Sequence, residues 1–290
     1  MPNADLAQRL TRIFCEGKLD LSQRPRAPRC GWEGIPEVAA ATRMRLRGAD
    51  DRTVRLFCTF VVAMDRARDA DALWQHGLEL FMQAPWAFEP GEVVQRPFVE
   101  LAETLRRFGV SQRHRVDSEA WRSIAETLRT PEMAPAVHKA VFDGKGDAVV
   151  LLDEVTHARA RGRPLFPLLR GPKIAPVWIR MLAYPGAATI SRLEKLPVGV
   201  DVHVRKVTEY LGVTDTHGKP LEQVRSLIQE AWADLVAAGG AEGLEPVRHT
   251  SAALDPALWF YGKWGCTWCE RARRKLPISE LCGMCRFGEL

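Results

Sequence analysis

Residues Pro167 to Leu211 read PLLRGPKIAPVWIRMLAYPGAATISRLEKLPVGVDVHVRKVTEYL. Two helix starts lie in this stretch, and each carries an ionisable side chain. The first is a tight turn, Arg170-Gly171-Pro172-Lys173, opening a helix over residues 172 to 183. Pro172 falls where a missing N–H costs nothing, and the backbone N–H groups of such a turn suit a phosphate. Lys173 falls in the first helical turn. There the positive end of the helix dipole disfavours an ammonium and pushes its pKa down, the condition an amine nucleophile needs. A solvated or phosphate-contacting lysine is the plainer alternative. The second start follows Val198-Gly199-Val200. Asp201 is a preferred N-cap residue for a helix with Val204, Val207, Tyr210 and Leu211 on its apolar side. A carboxylate held by N–H groups can face a cationic centre or accept a proton; it can equally do no more than cap. His203 either orients that carboxylate or packs structurally.

Upstream, apolar spacing predicts helices over residues 5–14, 36–47, 51–66, 69–83, 97–108 and 118–130. Short helices are expected on either side of Gly144-Lys145-Gly146. Residues 17–34 are rich in Pro, Gly and Arg and read as a loop; Arg24, Arg26 and Arg29 are available to phosphate or to solvent. No stretch alternates long enough for a convincing strand, and neither a repeat nor a low-complexity tract is present. Downstream, Leu221, Val224, Leu227, Ile228, Trp232 and Leu235 mark an amphipathic helix over residues 221–238. Asp255-Pro256 opens a short helix through Trp259.

The tail carries Cys266, Cys269, Cys282 and Cys285, two C-x2-C pairs twelve residues apart. Four thiolates in such pairs can close a tetrahedral metal site. Arg271, Arg273, Arg274 and Lys275 lie between them, where they can reach backbone phosphates or remain solvated. Cys15, Cys30 and Cys58 read as unpaired thiols.

Composition is that of an ordinary globular chain. In 290 residues, 46% are hydrophobic and 27% charged, and the net charge of +5 permits a polyanionic partner without requiring one. The polar start MPNADLAQRLTRIF lacks a signal-peptide core, and the apolar run near Leu56 to Met64 is too short to span a bilayer. A cytosolic monomer is expected, with no membrane partner. Seven cysteines and no secretory signal argue against a disulfide framework.

Gly171-Pro172-Lys173-Ile174-Ala175 followed by Val200-Asp201-Val202-His203 resembles the G-x-K-x-A and V-D-x-H elements of the helix-hairpin-helix DNA glycosylases, the group of endonuclease III and the 8-oxoguanine glycosylases. The resemblance extends over residues 50 to 285. It implies an all-α fold with two helical domains flanking a DNA cleft and a C-terminal metal-binding cap held by four cysteines. Their implied extents are residues 1–50 with 201–255, a barrel over 51–200 with its hairpin near 165–183, and a cap over 256–290. The implied activity is excision of a damaged or modified base flipped out of double-stranded DNA. Lys173 would attack the sugar C1′ and form a Schiff base that permits strand cleavage, with Asp201 assisting. Arg170, Gly171, Pro172, Ile174, His203, Arg271, Arg273 and Arg274 would contact DNA.

There are departures from the family pattern. The family turn reads L-P-G-V-G, and here Leu169 stands at its first glycine. The connection from Lys173 to Asp201 is longer than in endonuclease III, and Met64 takes the place of a stack-filling glutamine, as an apolar wedge or a core residue. The family's C-x6-C-x2-C-x5-C spacing would demand cysteines at Arg273 and Leu276, so Cys269 and Cys285 become replacement ligands. Location favours a [4Fe-4S] cluster and spacing favours zinc; either would be structural. Two further readings stay open: a monofunctional glycosylase in which Asp201 activates water, and a non-catalytic DNA-binding protein.

Overall fold

The computed structural model describes residues 4–17 and 28–265, and within them the chain is mostly helical. In order come α1 (Leu6–Cys15), α2 (Pro36–Arg45), α3 (Asp51–Ala63), α4 (Ala70–Gln83), α5 (Pro90–Gln95), α6 (Phe98–Arg107), α7 (His114–Arg129) and α8 (Pro135–Phe142). There follow β1 (Lys145–Asp147), α9 (Ala148–His157), β2 (Arg159–Ala160), β3 (Arg163–Pro164), α10 (Ile174–Ala183) and β4 (Thr189–Ser191). The last are α11 (Val202–Tyr210), α12 (Leu221–Gly239) and α13 (Ser251–Phe260), which runs into a π-helical turn, Tyr261–Gly265. Among the described residues no helix is long and apolar enough to cross a membrane. Cys266, Cys269, Cys282 and Cys285, the basic residues Arg271, Arg273, Arg274 and Lys275, and Arg24 and Arg26 lie outside the described residues.

The helices form two compact units. One is Pro36–Arg192; the other joins the described residues up to Ile35 with those from Leu193 onward. In the first, α3 is the central element. Its N-cap Asp50 accepts from the Thr53 N–H at 2.8 Å, and Val54 and Leu56 to Ala63 are all buried. Such a helix must be covered on every side, and α2, α4, α8 and α10 pack against it. Phe60 stacks on Trp121 of α7 at 4.8 Å, and Phe57 meets Phe88 at 5.3 Å. Buried indoles keep hydrogen-bond partners, as burial demands: Trp121 donates to the Ala87 carbonyl at 2.7 Å and Trp178 to the Thr59 hydroxyl at 2.9 Å.

Two charged groups are built into this core. Arg180 of α10 pairs with Glu37 of α2 at 2.5 Å, with both side chains no more than 5% exposed. Beside them burial pushes the Cys58 thiol up to about 12. Arg55 of α3 donates from Nε to the Val141 carbonyl at 2.7 Å, and from its two terminal nitrogens to Gly186 at 3.0 Å and Phe142 at 3.1 Å.

In the other unit α1 packs on α12 and α13, and α11 on α13. Phe14 meets Phe260 at 5.6 Å. Tyr261 donates to the Leu10 carbonyl at 3.0 Å, and Trp232 to the Thr208 hydroxyl at 2.8 Å.

Several elements depart from sequence expectation. α7 begins at His114 rather than Ser118, because the Asp117 carboxylate accepts from the N–H groups of Gln112 and Arg113 and closes an earlier turn. α13 begins at Ser251, capped by Thr250, and carries Pro256 inside it. Asp255 does not open that helix; it accepts the Gly199 N–H at 3.0 Å. The proline-containing segment Pro85–Gln95 is helical throughout most of its length. The strands are two or three residues long, too short to alternate visibly; β1 pairs parallel with β4, and β2 antiparallel with β3.

Replacing Arg55 with methionine leaves three buried carbonyls without their donor. We expect a loss of about 3 kcal/mol of stability, with Arg55→Lys recovering less than half of it, read from urea unfolding.

Candidate functional site

The connection between α9 and α10, residues 158 to 173, sets up the candidate site. α9 is capped by Asp147, which accepts the N–H groups of Val149 and Val150. The β2–β3 hairpin follows, then the turns that carry Leu165 to Lys173 into α10. Leu165, Phe166 and Leu169 are buried and anchor those turns. Thr127 of α7 donates to the Leu165 carbonyl at 3.1 Å.

Helix α10 starts at Ile174, two residues later than the sequence suggests, so Lys173 is its N-cap rather than a first-turn residue. Pro176 explains the shift: it has no N–H to donate to the Pro172 carbonyl, so the bond from the Ala175 N–H to the Gly171 carbonyl at 2.9 Å stands alone and the continuous ladder begins after it. No side chain caps α10; the Ala175 N–H is spent on Gly171 and Pro176 has none, so the anion-binding character of this helix start rests on the Ile174 N–H. The left-handed residue of the turn is Leu168, at φ 67°, not Gly171. A leucine there is strained, and the burial of its neighbours holds it. A Cβ at Gly171 would meet nothing within 4 Å; the glycine leaves open space over the helix start. Arg170 is half-buried, Pro172 is exposed, and Ile174 is 5% exposed, so Ile174 could reach a ligand only through its backbone.

The Lys173 ammonium lies 3.0 Å from the Asp65 carboxylate, with the lysine side chain 28% and the aspartate side chain 16% exposed. Asp65 stands just past the end of α3, 108 residues earlier in the chain, a separation at which no local pattern signals a contact. The loop that presents it is tied down: Arg68 donates to the carbonyls of Val110 at 2.6 Å and Gly109 at 2.8 Å. Burial draws the Arg68 pKa below its ordinary value. The preceding residue, Met64, is 3% exposed and belongs to the core, which removes it as a wedge. A cleft of about 1060 Å³ in this unit is walled by Phe98, Arg115, Val116, Met133, Arg163 and Leu168 among others, and Lys173 is not part of it.

In the other unit, Asp201 is the N-cap of α11. Its Oδ1 accepts the N–H of His203 at 2.8 Å and of Val204 at 3.0 Å. The capping role is therefore present. The N–H of His203 is consumed by it. The His203 ring meets Trp259 edge-on at 6.5 Å, and its Nδ1 is buried without a hydrogen-bond partner. Burial lowers the His203 pKa; the Asp201 charge and a hydrogen bond with the Gly262 backbone pull the other way. The π-helical turn lies against α11, so close that a Cβ at Gly262 would stand 2.4 Å from the His203 carbonyl oxygen. Lys263 rests over the Trp259 ring at 5.0 Å.

Elsewhere, Arg29 pairs with Glu33 at 3.6 Å on the open surface. Cys15, Cys30 and Cys58 form no disulfide. Among the described residues no cluster of three metal-ligating side chains occurs. Comparison with protein-family models, with curated proteins and with solved structures finds no match.

The depressed His203 pKa has a thermodynamic consequence. The unfolded chain binds the proton more readily, so stability present above the ordinary value of 6.5 is lost as pH falls through the lower folded value. Thermal unfolding between pH 7.5 and 5 should show His203→Gln losing less stability on acidification than wild type; equal losses would remove the assignment.

Proposed function

We propose that the chain is a DNA glycosylase of the helix-hairpin-helix class, excising a damaged or modified base and carrying an associated lyase step. The observation that carries this reading is Lys173. It is a partly exposed ammonium at an uncapped helix start, 3.0 Å from a carboxylate able to take its proton. α9 and α10, which pack on one another, stand for the two helices of the motif. The left-handed Leu168 and open Gly171 stand for its turn.

Asp65 adds a part that the sequence resemblance did not supply. An amine held as an ion pair must lose a proton before it attacks, and Asp65 is placed to accept it. The Nζ lone pair then bonds to C1′. The glycosidic bond breaks with its electron pair leaving on the base, which takes up a proton. Nζ loses a second proton, and its lone pair expels O4′, which is protonated; the product is a protonated imine. Removal of the C2′ proton then expels the 3′ phosphate and cuts the strand. The family resemblance gives Asp201 the part of stabilising the positive charge that builds on the sugar. Four thiolates, Cys266, Cys269, Cys282 and Cys285, are a donor set for a [4Fe-4S] cluster or for zinc, with a structural role at the tail. The partner is duplex DNA with a modified base, bound by a monomer.

The same ion pair favours a second reading. A lysine kept as ammonium grips a phosphate instead of attacking, and Asp201 activates water in a monofunctional glycosylase.

Borohydride trapping on duplexes carrying an abasic site, 8-oxoguanine, an oxidised pyrimidine or uracil separates the two. The first reading expects a covalent complex that disappears in Lys173→Ala and forms roughly 100-fold more slowly in Asp65→Asn. Base release that survives Lys173→Ala but not Asp201→Asn would establish the second. Tight binding with neither reaction would leave a non-catalytic DNA-binding protein.

A further inference from the structure

The β2–β3 hairpin inserted between α9 and α10 is unusual in its charges. Its register pairs Arg159 with Pro164 and Ala160 with Arg163. Two residues, Arg161 at φ 50° and Gly162 at φ 77°, make the turn. Both left-handed angles define the tight mirror-image turn that suits a twisted hairpin. Glycine fits its second position. The first position favours asparagine, aspartate or glycine, and here it holds an arginine. A residue that breaks the local rule at an exposed tip points to a use other than folding.

Arg159, Arg161 and Arg163 are all exposed. Several exposed arginines of this chain carry a carboxylate: Arg45 has Asp51, Arg115 has Glu119, Arg192 has Asp147 and Arg248 has Glu242. Among the described residues, none of the three hairpin arginines lies within ion-pair distance of an acid. Three uncompensated guanidinium groups within five residues strongly favour a polyanion. The hairpin is also fastened at its base. The Leu165 N–H donates to the Ala158 carbonyl at 3.1 Å, and the Leu165 carbonyl accepts from Thr127. Its position along the chain, directly before the turn that opens α10 at Lys173, couples it to the candidate site.

We propose that this arginine hairpin is a second phosphate-gripping element, which takes the sugar–phosphate backbone of duplex DNA without reading its sequence. The inference rests on the DNA glycosylase reading of the same segment. Its contribution is affinity for any duplex, not the choice of base.

The test is binding of the full chain to an undamaged duplex and to one carrying an abasic site, by fluorescence anisotropy at several salt concentrations. Each phosphate contact contributes about −0.9 to the slope of log K against log salt. Replacing all three arginines with alanine should reduce the slope by about 2 to 3 on both duplexes, while the triple lysine variant should largely keep it. Arg161→Asn guards against a folding artefact. Asparagine suits the turn better, so this variant should unfold at the same or a higher temperature yet lose about one contact's slope. Unchanged slopes in a chain that still binds duplex would overturn the hairpin assignment and spare the glycosylase reading. If wild type binds neither duplex, the glycosylase reading fails and the inference falls with it. A hairpin-dependent preference for single-stranded RNA over duplex DNA would also overturn it.

Discussion

The Pro36–Arg192 unit depends on the guanidinium of Arg55. The side chain is 5% exposed on α3, a helix buried over most of its length, and burying a charge is costly unless its donors are satisfied. Its partners are not carboxylates but main-chain carbonyls: Val141 and Phe142 at the end of α8, and Gly186 beyond α10. Terminal helix carbonyls have no partner within their own helix, so Arg55 works as a cap supplied from a distant part of the chain. By fixing where α8 stops, it fixes the start of β1. By holding Gly186, it fixes the approach to β4, which pairs with β1. The α9–α10 connection that carries Lys173 lies between those two strands in sequence.

Around Lys173 the chain combines an open helix start with a neighbouring acid. In the proposed reaction anion affinity and proton transfer are different demands, and different parts would meet them. The Ile174 N–H at the start of α10 would serve the first, and Asp65 the second. Asp65 stands on a loop whose carbonyl partners for Arg68 come from the end of α6 onward, so its position is braced by side-chain bonds as well as by the helix that precedes it.

Much of the helical frame is readable from periodicity. The spacing of Leu221 to Leu235 marks α12 within a residue or so, because one face is buried and the other wet. What is not readable has physical causes. Pro85 and Pro90 mask a helical segment because each sits at a helix start, where the missing N–H is harmless. Pro256 imitates a start, since the true cap, Thr250, lies a turn and a half earlier. The start of α10 falls later than its sequence suggests because Pro176 has no N–H to give the Pro172 carbonyl, which interrupts the ladder after its first bond. At the candidate site, Asp201 can be read as a cap from its neighbours alone, whereas Asp65 is joined to Lys173 only through the fold. The hairpin leaves one local trace, Arg161-Gly162, with a glycine at the second turn position. Strands of two residues give it no alternation to accompany that trace.

The contact between Gly262 and the first turn of α11 leaves no room for a side chain. A lineage that retains this turn is therefore confined to one amino acid at that point, however freely its surface drifts. The restriction falls where the chain leaves α13 for the cysteine-bearing tail and passes the backbone of the helix that Asp201 begins. A shift in the path of the chain there would be transmitted as backbone displacement, with no pliable side chain between to absorb it. The turn works as a hard stop, setting the clearance at α11 independently of what side chains the surrounding surface acquires.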